Sequence, residues 1–222
     1  MPNPTEDIFT TNIYIALIYC FHNTHMDQKT IDTYNKMALE YDEETVDFWD
    51  RFPRTFIDKF AELAKGGVLD IGSGPGRDGV ILKDKGLDVT CLDASEEMVK
   101  LCREKGLNAV LGNFNMLPFK KKSFDAVWAY TSLLHAPKAD TDKPLREIKR
   151  VLKDKGILGL GLIEGDTEGY RESSGVNMPR WFSFYKKNEI LKILNAQEFE
   201  MIYFEEFKPG SKNYLNFIFS SK

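Results

Sequence analysis

Residues 68–79 read VLDIGSGPGRDG: a short apolar strand, Val68, Leu69 and Ile71, runs into glycines at every second position, Gly72, Gly74 and Gly76. A brief continuous apolar run closed by a turn signal is the pattern of a strand buried on both faces. Three residues without Cβ atoms let a ligand approach the backbone, so a nucleotide-like ligand is expected here, with a helix following over residues 77–86. Two nucleotide chemistries compete. The spacing G-x-G-x-x-G of a dinucleotide fingerprint is present as Gly74, Gly76 and Gly79, but in that fingerprint the first glycine closes the strand and the pyrophosphate rests on the helix N-terminus. In this chain the strand closes at Gly72 and Gly79 falls one step late. Asp70 also puts a carboxylate at the strand end, where it repels a pyrophosphate and suits a cationic ligand.

At 222 residues the chain fits one α/β domain, since such domains commonly reach roughly 200–250 residues. Its 42% hydrophobic and 29% charged residues are ordinary for a globular protein with a sizeable core. A net charge of −4 and an isoelectric point near 5.5 count against nonspecific nucleic-acid affinity. The tight basic run Lys120, Lys121 and Lys122, between Pro118 and Ser123, reads as a solvated turn. Cys20, Cys91, Cys102, His22, His25 and His135 share no ligand spacing, so no metal is expected. Cys91 and Cys102 read as buried thiols of a reducing compartment, which makes a cytoplasmic location the expectation. Residues 8–21 are apolar but about half the length of a membrane span, and they follow Glu6 and Asp7 rather than a basic segment; neither a membrane helix nor a secretory leader is expected. Residues 1–27 are therefore read as an extension, with Met26 the expected natural start. Residues 28–222 are read as the domain, including a helical cap over 28–65.

Within that cap, Trp49, Phe52, Phe56, Ile57, Phe60 and Leu63 recur at three- and four-residue intervals and predict one amphipathic helix with Pro53 in its first turn, after a shorter helix over 30–43. Strands are predicted over 88–93, 109–112, 124–130 and 156–164. Between them lie a helix capped by Ser95, with Met98, Leu101 and Cys102 buried, and a helix marked by Leu145, Ile148, Val151 and Leu152. Ile190, Leu191 and Leu194 mark the last helix. Two closing strands, 199–207 and 213–220, face each other across KPGSK and should be antiparallel. Alternation of this kind demands a mostly parallel sheet covered on both faces, with ligands at the carboxyl ends of its strands. Asp70, Asp93, Asn113, Tyr130 and Glu164 occupy those ends.

Asp93 lies 17 residues after Gly76 at a strand tip, where a carboxylate can accept from both hydroxyls of a ribose; its other reading is a neighbour to the helix cap at Ser95. Asn113, in GNFNMLPF, can meet an adenine edge, and Phe114 offers a backbone N–H and apolar contact. An acid followed by alternating glycines resembles the first motif of class I S-adenosylmethionine-dependent methyltransferases, whose cofactor carries an ammonium and a sulfonium and no phosphate. VLDIGSGPGRDG, DVTCLDASEEMV, GNFNMLPF, SFDAVWAYTSLLHAPK and REIKRVLKDKGIL, in this order, resemble the type 11 branch of that class from residue 67 to about 161, and RWFSFY with the closing elements extends the likeness towards the C-terminus.

The resemblance implies a three-layer Rossmann-like sandwich with seven strands in order 3-2-1-4-5-7-6, the last antiparallel, and methyl transfer from S-adenosylmethionine. It implies that Asp70, Gly72, Gly74, Asp93, Asn113 and Phe114 hold the cofactor, joined by Ser73, Gly76, Arg77, Ala94, Asn115, Ala129 and Tyr130. Many relatives carry an acid where this chain has Asn113, and KDKG replaces a more frequent KPGG turn. Methyl transfer is an in-line displacement at a good electrophile, so alignment matters most and a strong base is optional. His135 is the candidate general base; equally it packs beside the cofactor and orders the loop. Ser132 and Tyr130 share its rim. Tyr34 and Tyr41 are read as a lid or as helix packing. IEGDTEGYRESSGVNMPRWF reads as a long functional loop in which Arg171, Arg180 and Trp181 meet an anionic or planar acceptor, or else form surface salt bridges and a packed indole. A small-molecule acceptor and a monomer or homodimer are expected, with no nucleic acid or membrane as partner. The rival readings are an RNA or protein methyltransferase, a non-catalytic cofactor-binding protein and a nicotinamide enzyme.

Overall fold

The computed structural model describes residues 27–173 and 176–222; the expectations for residues 8–21, Cys20, His22, His25 and the start at Met26 lie outside them. The first strand, β1 (Gly67–Ile71), sits at the centre of a seven-stranded sheet. Around it lie β2 (Asp88–Asp93), β3 (Asn108–Leu111), β4 (Phe124–Tyr130), β5 (Leu152–Ile163), β8 (Phe199–Phe207) and β9 (Tyr214–Ser221), in the order β3-β2-β1-β4-β5-β9-β8. β9 is antiparallel to both its neighbours and the remaining pairs are parallel. Counting only these strands, the order is the predicted 3-2-1-4-5-7-6.

Burial of both sheet faces follows from the apolar strands. Leu69 and Ile71 point into one layer with Leu145, Ile148 and Val151 of α7 (Asp142–Val151) and Ile190 and Leu194 of α8 (Lys187–Ala196). Val68 points into the other, with Leu82 of α5 (Arg77–Asp84), Val99 and Cys102 of α6 (Glu96–Glu104) and Phe56 and Phe60 of α4 (Thr55–Leu63). Ser95 caps α6 as expected, its side chain accepting the Met98 N–H.

The cap departs from the predicted pair of helices. Residues 28–45 form α1 (Gln28–Lys36) and α2 (Ala38–Thr45), broken at Met37. The aromatic repeat is split into α3 (Phe48–Arg51) and α4, because Pro53 forces Phe52 into an extended conformation (φ −128°, ψ 157°) and so ends α3. Leu152 belongs to β5 rather than to the preceding helix. The largest correction concerns the stretch read as a long loop. Residues 168–173 and 176–183 form a two-stranded antiparallel ribbon, β6 (Glu168–Ser173) with β7 (Val176–Ser183). The alternation is there in the sequence, but glycine and charge dilute it.

Helix α1 is fastened to this ribbon. Thr33 Oγ1 donates to the Pro179 carbonyl at 3.0 Å and the Trp181 N–H donates to Thr30 Oγ1 at 2.8 Å. Its far end is tied to α6, since Ser95 Oγ donates to Asn35 Oδ1 at 2.7 Å. Residues of the cap thereby face the carboxyl ends of β1, β2 and β4, and the ribbon faces that of β4.

Candidate functional site

The turn from β1 into α5 depends on backbone that only glycine adopts cheaply: Gly72, Gly74 and Gly76 have φ of +64°, +54° and +87°. A Cβ on Gly72 would lie 2.4 Å from the Ser132 Cβ. Ser132 is brought there by Thr131, a β-branched residue at φ +53° that turns the chain sharply out of β4. Gly72 and Gly74 line a cavity, whereas Gly76 packs away from it, a Cβ there falling 2.6 Å from Leu107.

The cavity holds about 820 Å³, part of it open to solvent. Of the predicted cofactor residues, Asp70, Gly72, Ser73, Gly74 and Arg77 line it from β1 and its loop, Asp93 and Ala94 from β2, and Phe114 and Tyr130 from the next two strand ends. Gly76, Asn113, Asn115 and Ala129 are not in the wall. Asn113 Oδ1 instead accepts the Asn115 N–H at 2.8 Å, closing a turn that carries Phe114 into the cavity.

The geometry of Asp93 is that of its reading as a neighbour to the helix cap. One carboxylate oxygen accepts the Gly74 N–H and the other the Ser95 N–H, each at 2.9 Å. The glycine loop and the α6 cap are thus clamped together, with the Ala94 N–H also acting on the carboxylate, which keeps lone-pair capacity for a further donor. Burial raises the Asp93 carboxyl above its ordinary range, against the pull of these N–H donors. Asp70 is 2% exposed, and its Oδ2 has no hydrogen-bond partner. Burial first, then the neighbouring Asp78 charge, push its carboxyl well up.

Asp78 was not singled out by sequence, where an acid in a helix's first turn reads as a dipole complement. It is the hub beneath the site. Oδ1 accepts Trp49 Nε1 at 2.7 Å and Arg77 Nε at 2.6 Å, and Oδ2 accepts Trp128 Nε1 at 2.9 Å. Burial alone would raise this carboxyl; the Arg77 charge and these three donors overcome it and hold the group low. Its indole partners lie 29 and 50 residues away, so no local signal announces them.

His135 is 8% exposed and fully committed. Nδ1 lies 2.5 Å from the Trp181 carbonyl, which can only accept, so Nδ1 carries the proton and Nε2 is the acceptor. Tyr34 OH, 2.9 Å from Nε2, must therefore donate to it, and Arg180 Nη1 donates to the same hydroxyl at 3.0 Å. A directed chain runs from Arg180 through Tyr34 and His135 to the ribbon backbone. Burial lowers His135 from 6.5 to about 4, with the Arg180 charge acting the same way against the Trp181 hydrogen bond. Burial also raises the Tyr34 hydroxyl beyond its usual value. His135 is neutral near pH 7, and its one basic nitrogen is covered by Tyr34.

Tyr34, Tyr41, Ser132 and His135 line the cavity, and all but Ser132 also line a second chamber beside it, of about 860 Å³. Arg180 faces that chamber. Arg171 and Trp181 face neither: Arg171 lies over the Phe184 ring and donates to Thr167, and the Trp181 indole donates to Ser183. Among the described residues no group of three metal-ligating side chains is gathered, and no helix is long and apolar enough to cross a membrane.

A 3-2-1-4-5-7-6 sheet with an acid-glycine loop at its centre and a second acid on the adjacent strand tip is the arrangement that the sequence resemblance implies. Residues 69–160 match the family described as Methyltransferase domain, type 11. An uncharacterized protein of Methanocaldococcus jannaschii, MJ1252, is 38% identical over 144 residues, 63% of this chain and 54% of that one, so the chain spans about half that relative's length. An uncharacterized methyltransferase of Staphylococcus carnosus is 27% identical over 176 residues, 76% of this chain and 77% of that one. The solved DhpI-SAM-HEP complex superposes with a TM-score of 0.72 at 20% identity, over 86% of this chain and 97% of that one. Residues 69–160 of this chain are thus similar to the methyltransferase domain, and the solved structure shares the fold of the whole described sheet.

Proposed function

We propose that this chain transfers a methyl group from S-adenosylmethionine to a small-molecule acceptor. The observation that carries the reading is the charge of the cavity wall: among the described residues, Asp70, Asp78 and Asp93 face it with Arg77 as the only cation. That wall suits an ammonium and a sulfonium and repels a pyrophosphate. Three buried oxygens in the same wall, Asp70 Oδ2, Tyr130 OH and Ser132 Oγ, lack hydrogen-bond partners. Buried polar groups of this kind are ordinarily satisfied, which supports a polar ligand here. When bound, the cofactor supplies a methyl group already activated as an electrophile on sulfur.

Asp93 would accept the ribose hydroxyls with its remaining lone pairs, and Asp70 would face the ligand's positive charge. Gly72 and Gly74 hold the loop in the left-handed conformation that brings its backbone to the cavity wall. Tyr34 and Tyr41, carried on α1 and α2, roof the cavity and exclude water. Holding nucleophile and methyl in line in this way is worth on the order of 7–11 kcal/mol. His135 acts here as a positioning residue, since its only free lone pair is held by Tyr34.

Calorimetry tests the cofactor: S-adenosylhomocysteine should bind and NAD should not. Asp93→Ala should weaken S-adenosylhomocysteine at least about tenfold, since hydrogen bonds to a charged acceptor contribute roughly 1.5–3 kcal/mol each. Wild-type affinity in that variant removes the ribose assignment. A tritiated-methyl screen over metabolite and RNA pools tests the acceptor, and label entering RNA alone would refute the small-molecule reading.

A further inference from the structure

We infer that the second chamber selects a small acceptor built on a planar aromatic ring, in preference to an aliphatic one of the same size. The inference rests on the methyltransferase reading and goes on to name the substrate class. The chamber shares wall residues with the cofactor cavity, Tyr34, Tyr41, Tyr130 and His135 among them, so whatever fills it lies next to the transferred group's site. Rings make up much of its wall. The cap contributes Tyr34, Tyr41 and Phe48, the ribbon Phe182, and the strand ends Tyr130 and Tyr214.

The sheet holds the strand-end rings in a common orientation. A Cβ on Gly159 of β5 would lie 2.6 Å from the Trp128 ring, and one on Gly161 would lie 2.3 Å from the Tyr130 ring. Because these two alternate positions carry no side chain, both rings lie down across β5. Trp128 and Tyr130 are 5.7 Å apart at an interplanar angle of 10°, and Tyr130 and Tyr214 are 6.3 Å apart at 5°. Phe207 continues the row, 4.9 Å from Tyr214 at 20°. The row thus runs from β4 to β9 and β8, and Tyr130 and Tyr214 are the members that reach the chamber.

The cap adds rings set across that plane. Phe48 of α3 meets Tyr130 at 65° and Tyr214 at 62°, with centres 5.9 and 6.2 Å away, and Tyr34 meets Tyr41 edge to face at 5.5 Å. Tyr130 and Tyr214 are buried, so an occupant meets rings already fixed in place and little side-chain freedom is lost on binding. An aromatic occupant gains offset or edge-to-face ring contacts in addition to the burial of its surface. A saturated ring of the same carbon skeleton gains the burial alone.

The test uses protein saturated with S-adenosylhomocysteine and compares by calorimetry the binding of 1-naphthol with that of decahydro-1-naphthol, which has the same carbon skeleton and hydroxyl. 1-Naphthol should bind at least about fivefold more tightly, the ratio that one or two ring contacts supply. Tyr214→Leu should bring the two probes to near-equal affinity, and Tyr214→Phe should keep the preference, which separates loss of the ring from loss of its hydroxyl. Tetramethylammonium, the probe for a cation-binding aromatic cage, should bind more weakly than 1-naphthol. Equal binding of the two alcohols, tighter decahydro-1-naphthol, tighter tetramethylammonium, or no 1-naphthol binding at millimolar concentration overturns the inference in the wild-type protein, whatever the folding of the Tyr214 variants. Failure to bind S-adenosylhomocysteine would instead overturn the reading on which it rests.

Discussion

Replacing His135 with asparagine isolates the energetic consequence of keeping a neutral imidazole in the roof of the site. The asparagine amide can still donate to the Trp181 carbonyl in place of Nδ1, so the loop keeps its tether while the titratable group is lost. His135 falls from 6.5 in the open chain to about 4 in the fold. Above pH 6.5 the imidazole is neutral in both states and its burial carries no charge penalty. Between 6.5 and about 4 the unfolded chain takes up a proton that the native protein refuses, so stability falls as pH falls. At about 1.4 kcal/mol per pH unit the wild type should lose roughly 3 kcal/mol relative to the variant across that window. Asp70 and Asp93, raised by burial, act with the opposite sign, because protonation in the fold relieves their cost. They are common to both proteins and cancel in the difference. Urea unfolding of both proteins from about pH 7.5 to about pH 4.5 measures it. The variant begins less stable by a constant amount for lost packing against Phe182 and Tyr34, and the two curves should converge or cross on acidification. A gap that stays constant with pH would refute the buried, neutral assignment.

Gly72→Ala should cost about 2 kcal/mol or more in urea unfolding, since the left-handed conformation is unfavourable for alanine and the new Cβ meets Ser132, and the folded fraction should bind S-adenosylhomocysteine more weakly. Thr131→Asn should raise the unfolding midpoint by the equivalent of about 1 kcal/mol, because asparagine tolerates the positive φ that strains a β-branched residue. Asp78→Ala should destabilise the protein by about 3–5 kcal/mol, the range for an uncompensated buried charge, since it also strands two indole N–H groups. A smaller loss would show that water reaches the vacated space.

The legibility of this protein differs between its two halves. The glycine loop, Ser95 and Asp93 follow one another along a single β-α-β unit, so their spacing in the chain is also their spacing at the site. Asn113 is adjacent to the cavity in sequence, yet its side chain turns back onto Asn115 while Phe114 enters the wall. The ribbon was missed because Glu168, Gly169, Arg171 and Glu172 hide a two-residue period behind charge and glycine. Tyr34 and Arg180 are 146 residues apart, and nothing in either segment specifies that one will stack on the other.

From sequence alone, local patterning determined the alternation of strands and helices, the acidic glycine loop and the preference for a cationic ligand over a pyrophosphate, while the order of the sheet came from the resemblance to a known family. Tertiary structure decided the rest: the hub at Asp78, the proton placement on His135 and the stacking of Arg180 on Tyr34. Each is an interaction between side chains from distant segments, and its strength comes from burial that exists only once the cap, the ribbon and the sheet have closed on one another.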